Sequence, residues 1–110
     1  MRNSTKSILT EFMGISAFSG SPAECMHHLI FGISNRNLAD TDGLILPLTN
    51  AEHNLSPYGT IYQIHDNPAA EKLSKMLGQM AWEKHHIAET RCSEEEAKAH
   101  FMKRYGRSFV

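Results

Sequence analysis

The spacing of apolar residues changes along this chain, and each change marks an element. Ile8, Leu9, Phe12 and Met13 fall at helical intervals, which predicts a helix over 5–13 with Gly14 as its stop. Ser19-Gly20-Ser21-Pro22 is a turn. Residues 24–31 are apolar with loose alternation and read as a strand. Residues 35–43 are polar and rich in turn formers. Leu44-Ile45-Leu46-Pro47-Leu48 reads as a second strand, and its proline suits an edge or a strand end. The stretch 49–55 suits a short helix capped by Thr49 or Asn50 and limited by Pro57, with a loop over 57–66. Asn67-Pro68, with Glu71 in the first turn, starts the clearest helix, 68–90. Leu73, Met76, Leu77, Met80 and Ala81 are its expected buried face, with Met76 and Met80 as core filler and Trp82 at the core edge. A last helix over 94–105 opens on a Ser93/Glu96 capping box, stops at Gly106, and buries Ala97, Phe101 and Tyr105.

These elements predict an α+β fold in one domain: an N-terminal helix and turn over 1–22, a two-stranded core and loop over 23–66, and C-terminal helices over 67–110. A chain of 110 residues has room for one hydrophobic core and hardly for two.

Composition narrows the function classes. Eleven basic residues stand against twelve acidic ones, which argues against a strongly basic nucleic-acid coat. A local stripe of Lys98, Lys103, Arg104 and Arg107 remains near the C-terminus. No apolar run approaches the length of a membrane span, and no apolar segment follows Met1–Lys6 as in a signal peptide, so the expected location is the cytoplasm. Two cysteines, Cys25 and Cys92, are too few for a disulfide framework and are expected as free thiols. Cys25 shares a strand face with Leu29 and Phe31, so a buried thiol is the sounder reading than a nucleophile. Asp40-Thr41-Asp42-Gly43 suggests a calcium loop, but the first and twelfth loop positions would be Leu38 and Thr49, so a turn is the better reading.

Histidine carries the strongest chemical signal. His27 and His28 are adjacent in the first strand, and His53 and His65 follow the second. A hydrolytic metal site needs one imidazole on the cation and another kept off it to take a proton from water. Adjacent strand positions point to opposite faces, so a shared site needs the strand to end or bulge near His28, and Gly32 permits this. By contrast, His85-His86 suits the negative end of the long helix, and His100 reads as solvated.

The order strand with His-His, strand, helix with His is that of a ββα-metal hairpin. His27-His28-Leu29-Ile30-Phe31-Gly32, Asn35-Arg36, Gly43 to Leu48, His53, Ile64-His65 and the ending Gly106-Arg107-Ser108-Phe109-Val110 resemble the HNH (His-Me finger) endonucleases. The likeness is closest to small phage-encoded HNH proteins, including those of the recombination-enhancement type. It implies a small ββα-metal hairpin packed against C-terminal helices, and metal-dependent cleavage of DNA in phage or prophage recombination or processing. The setting would be a bacterial host's cytoplasm, with DNA and a host recombinase filament as partners. His28 would be the general base. His27 and His53 would bind a divalent cation (Mg²⁺, Mn²⁺ or Zn²⁺), with His65 as a further ligand or phosphate contact. Asn50 and Asn54 would orient an imidazole. Arg36, Lys103, Arg104 and Arg107 would contact DNA.

The chain departs from the family at several points. Thr49 and Glu52 stand where a cysteine knuckle would be, so no structural zinc is expected there. The central asparagine of the HNH pattern falls near Asp42 to Leu44, where there is none. Those losses suit an alternative, a non-catalytic DNA- or protein-binding accessory that keeps the hairpin as a scaffold. A third reading is a metal-binding module that forms a homodimer through the apolar face of the long helix.

Overall fold

In the computed structural model, the described residues are 6–32, 34–55, 64 and 67–110; for Asn54 and Leu55 the description stops at the backbone. The elements are β1 (Cys25–His28), α1 (Asn35–Asp42), β2 (Ile45–Leu48), a π-helical turn (Ala51–Leu55), α2 (Pro68–Thr90) and α3 (Glu94–Tyr105). The fold is α+β: a two-stranded antiparallel hairpin with helices following it. The predicted loop 57–66 lies outside the described residues apart from Ile64.

β1 and β2 pair in the register Cys25↔Leu48, Met26↔Pro47, His27↔Leu46, His28↔Ile45. All of β2 is buried, so its run is continuously apolar rather than alternating. Pro47 fits because a two-stranded sheet has only edges, and its outward carbonyl accepts from the Ala17 amide at 2.9 Å. Residues 15–22 form a strap beside it, closed by an Ile15–Pro22 bridge.

Two local expectations are corrected. Residues 6–13 do not form a helix. Ser7 Oγ takes the amides of Leu9 and Thr10, Thr10 Oγ1 takes that of Phe12, and the Ile8 amide goes to Gly43. Hydroxyls that capture nearby amides compete with helical bonding. Residues 35–42, expected as an irregular turn, are helical. Gly43, at φ 75°, closes α1: its amide bonds to Asp40 and that of Leu44 to Ala39, the paired bonds of a Schellman end. The helix sets Ala39 in the core and Leu38 against it.

α2 starts as its sequence indicates, with the Asn67 side chain accepting from the Ala70 amide and Pro68 in the first turn. Its inward face is a further correction. Leu73, Leu77 and Met80, expected inside, are 64%, 43% and 57% exposed, while Ser74, Gly78 and Gln79 are buried. The cause is close approach. A Cβ at Gly78 would lie 2.7 Å from Ile30 Cγ1, so only a residue without one lets the helix settle on Leu29 and Ile30. Gln79 is satisfied there by the Phe109 amide, Ser108 and Glu83.

α3 carries the expected capping box and ends at Gly106. Phe101 lies at the centre of the core with Leu29, Ile30, Leu44 and Leu46, stacks on Tyr105 and meets Trp82 edge-on. Asp42, at the end of α1, gathers the outer elements. It accepts from Trp82 Nε1 at 3.0 Å, Tyr105 Oη at 2.7 Å, and two Arg104 nitrogens at 2.7 Å each. No helix among the described residues is long and apolar enough to cross a membrane.

Candidate metal and general-base site

The hairpin register sends His27 and His28 to opposite faces, as a strand that stays regular must. His27 is fully buried. Its ring meets that of His53, delivered by the turn after β2, with centroids 5.1 Å apart and an edge-on geometry. The turn is held by a reciprocal pair: Glu52 takes the Thr49 amide, and Thr49 Oγ1 takes the Glu52 amide. This bears out Thr49 as the cap. The Glu52 carboxylate also accepts from Ser16 Oγ, which ties the strap to the turn. Burial pushes this carboxyl up, but hydrogen bonds from Ser16, Thr49 and Ser19 outweigh it and hold the group below the usual glutamate range.

His27 Nε2 lies 2.7 Å from Ser74 Oγ, and the Ser74 hydroxyl donates its single proton to the Leu29 carbonyl at 2.8 Å. The serine can therefore only accept from the ring, so Nε2 carries the hydrogen and Nδ1 is the basic nitrogen. This is the arrangement of a metal-ligating imidazole, whose other nitrogen donates to an oxygen that fixes its tautomer. His27 thus has the tautomer that a metal-ligating imidazole needs, beside the ring of His53. Among the described residues no third histidine, cysteine or carboxylate joins that pair in a ligand cluster.

On the other face, His28 Nε2 meets Asp40 Oδ1 at 3.2 Å, and both side chains are partly exposed. A carboxylate only accepts, so His28 has the same tautomer and keeps Nδ1 as its base. The pattern of apolar positions did not mark Ser74 or Asp40 for these parts. For Ser74 a signal existed: Ser74 and Gly78, four apart, form a small-residue stripe along the helix.

The remaining expected site residues are scattered. The Asn50 amide donates to Glu24 Oε1 at 2.9 Å, and no described bond links the Asn50 side chain to an imidazole. His65 and the Asn54 side chain lie outside the described residues. Arg36 and Lys103 are exposed. The Arg107 guanidinium lies 5.1 Å from the Phe109 ring centre. The Arg104 guanidinium is engaged in a two-pronged pair with Asp42.

Cys25 is half-buried and points its thiol at the carbonyls of Leu48 and Thr49. Burial, then Glu24 and Glu52, push the thiol's pKa up, which suits an inert role. A cavity of about 350 Å³ adjoins His27 and Ser74, walled by Phe18, Leu46, Leu73 and Leu77. Compared with known proteins, the chain matches no family model, no curated protein and no solved structure.

Proposed function

We propose that this chain is a metal-dependent DNA endonuclease of the HNH type, acting in phage or prophage recombination or DNA processing. The observation that carries the reading is the meeting of His27 and His53, brought together by strand, strand and helical turn in the order such a hairpin requires. His27 and His53 hold a divalent cation, and Ser74 fixes the His27 ring. When bound, the cation supplies charge stabilisation for the phosphate and the leaving 3′ oxygen. His28, held by Asp40 on the opposite face of β1, is the general base of this reading, and to reach water at the His27–His53 cation the strand has to bulge or open at His28. Arg36, Lys103 and Arg107 contribute phosphate contacts.

The test is cleavage of single- and double-stranded DNA with Mg²⁺, Mn²⁺ or Zn²⁺, with and without a recombinase filament. His28→Ala should lower cleavage by roughly 10²–10⁴-fold with metal affinity kept, and His27→Ala should lose both. Lys103→Ala with Arg107→Ala should flatten the salt dependence of DNA binding by about one to two units. Wild-type cleavage no greater than that of His28→Ala defeats the enzyme reading.

A second reading, a non-catalytic DNA- or protein-binding accessory, is favoured by one observation. The space beside His27 is walled by Phe18, Leu46, Leu73 and Leu77, a lining suited to an apolar side chain rather than a phosphate.

A further inference from the structure

We propose a second metal site, independent of the hairpin, in which His86, Cys92 and His100 bind a zinc-type transition ion and clamp the turn between α2 and α3. The candidate donor atoms of the three residues all lie within 4.8 Å of one another. His86 comes from the last turns of α2, Cys92 from the link, and His100 from the middle of α3. The cluster lies about 18 Å along α2 from Ser74, at a 1.5 Å rise per residue.

The imidazoles already face each other. His86 Nε2 lies 2.9 Å from His100 Nδ1, with the rings nearly perpendicular. Two imidazole nitrogens on one tetrahedral zinc sit about 3.3 Å apart, and a nitrogen and a thiolate about 3.6 Å, from ordinary zinc bond lengths. The nitrogens need to open by only about 0.4 Å, and both side chains reach the surface, where small rotations meet little resistance. The His86 ring is set by stacking on Trp82, with centroids 4.5 Å apart.

The link is shaped to deliver the sulfur. Arg91 ends α2 at φ 59°, and among the described residues it is the one non-glycine in the left-handed region. That conformation is unfavourable for a side chain bearing a Cβ. It turns the chain so that the free, half-buried Cys92 meets the two histidines. Two nitrogens and one sulfur form a donor set that favours zinc over magnesium or calcium. The nearby carboxylates are engaged: Glu89 faces His85 at 3.5 Å, and Glu96 holds the Ser93 amide in the capping box. Water therefore takes the fourth position. Binding releases the thiol proton to solvent.

The experiment is a Co²⁺ and Zn²⁺ titration of the full chain. Co²⁺ should give a thiolate-to-metal charge-transfer band that Zn²⁺ displaces, and Zn²⁺ should raise the Tm. Cys92→Ser should abolish the band, and His86→Ala or His100→Ala should weaken binding at least tenfold. Cys25→Ser and His53→Ala should retain it, which separates this site from the hairpin. The mutated groups reach the surface, and far-ultraviolet circular dichroism verifies that each variant is folded. A missing band in the wild type, or one that survives Cys92→Ser, overturns the proposal.

Discussion

His27 donates from Nε2 to the hydroxyl of Ser74, which lies 47 residues later and passes its own proton to the Leu29 carbonyl. One serine thus fixes both the tautomer of an imidazole and the seat of α2 on β1. Ser74→Ala removes the acceptor without adding bulk. It should destabilise the fold by about 1–3 kcal/mol, the cost of a buried donor left unpaired, read from urea unfolding. If the proposed cation sits at the His27–His53 pair, its Mn²⁺ affinity should fall by about 10- to 100-fold. Unchanged stability would show that the serine does not hold the ring.

Gly78→Ala should destabilise, although alanine is the better helix former by about 1 kcal/mol. The new methyl would meet Ile30 Cγ1 at 2.7 Å and Leu29 Cβ at 3.1 Å, both on buried residues. A net loss of about 1–3 kcal/mol is expected for overpacking of this kind. A rise in Tm would place α2 farther from Ile30.

Asp42 stands at the negative end of α1, an unfavourable place for a carboxylate, and its donors from Trp82, Arg104 and Tyr105 offset that. Asp42→Asn should cost about 2–4 kcal/mol and couple strongly to Arg104→Ala in a double-mutant cycle. The same cluster sets an alkaline limit. Burial, then the bond to Asp42, raise the Tyr105 phenol far above its ordinary 10.0. Its stabilising contribution is complete below that pH and is lost as pH rises above it. Tyr105→Phe should flatten that limb of the stability curve.

Glu52 contributes to the acid limb. Its folded pKa lies below the ordinary 4.5, so its contribution is present above that value and is lost as pH falls through the folded pKa. Glu52→Gln should lower the neutral-pH stability and flatten the decline below about pH 4.5. Parallel wild-type and variant curves of urea midpoint against pH would remove Glu52 from this role.

What the sequence made legible was what local chemistry decides. The caps at Asn67 and Ser93, the stop at Gly106 and the buried Ala97, Phe101 and Tyr105 follow from neighbours within a turn or two. α1 escaped because Ser34 makes no side-chain cap and no acidic residue occupies the first turn. The buried face of α2 escaped because an apolar count favours Leu73 and Met80, whereas a bare backbone at Gly78 decides the approach. The meeting of His27 and His53 agrees with their order in the chain. Ser74 and Asp40 acquire their roles only when distant segments meet, and His86 and His100, read as a helix-end charge and a solvated side chain, face each other only once α3 folds back.

Phe101 fills the middle of a core in which the members from Leu29 to Leu46 precede it by more than fifty residues, and Tyr105 follows it. During synthesis the histidine strand therefore leaves the ribosome well before the helix that covers it. At about 5–20 residues per second, Leu29 and Ile30 wait roughly 4 to 14 s for Phe101. Over that interval the nascent hairpin presents Leu29 and Ile30, buried in the finished fold, without the aromatic ring that packs on them.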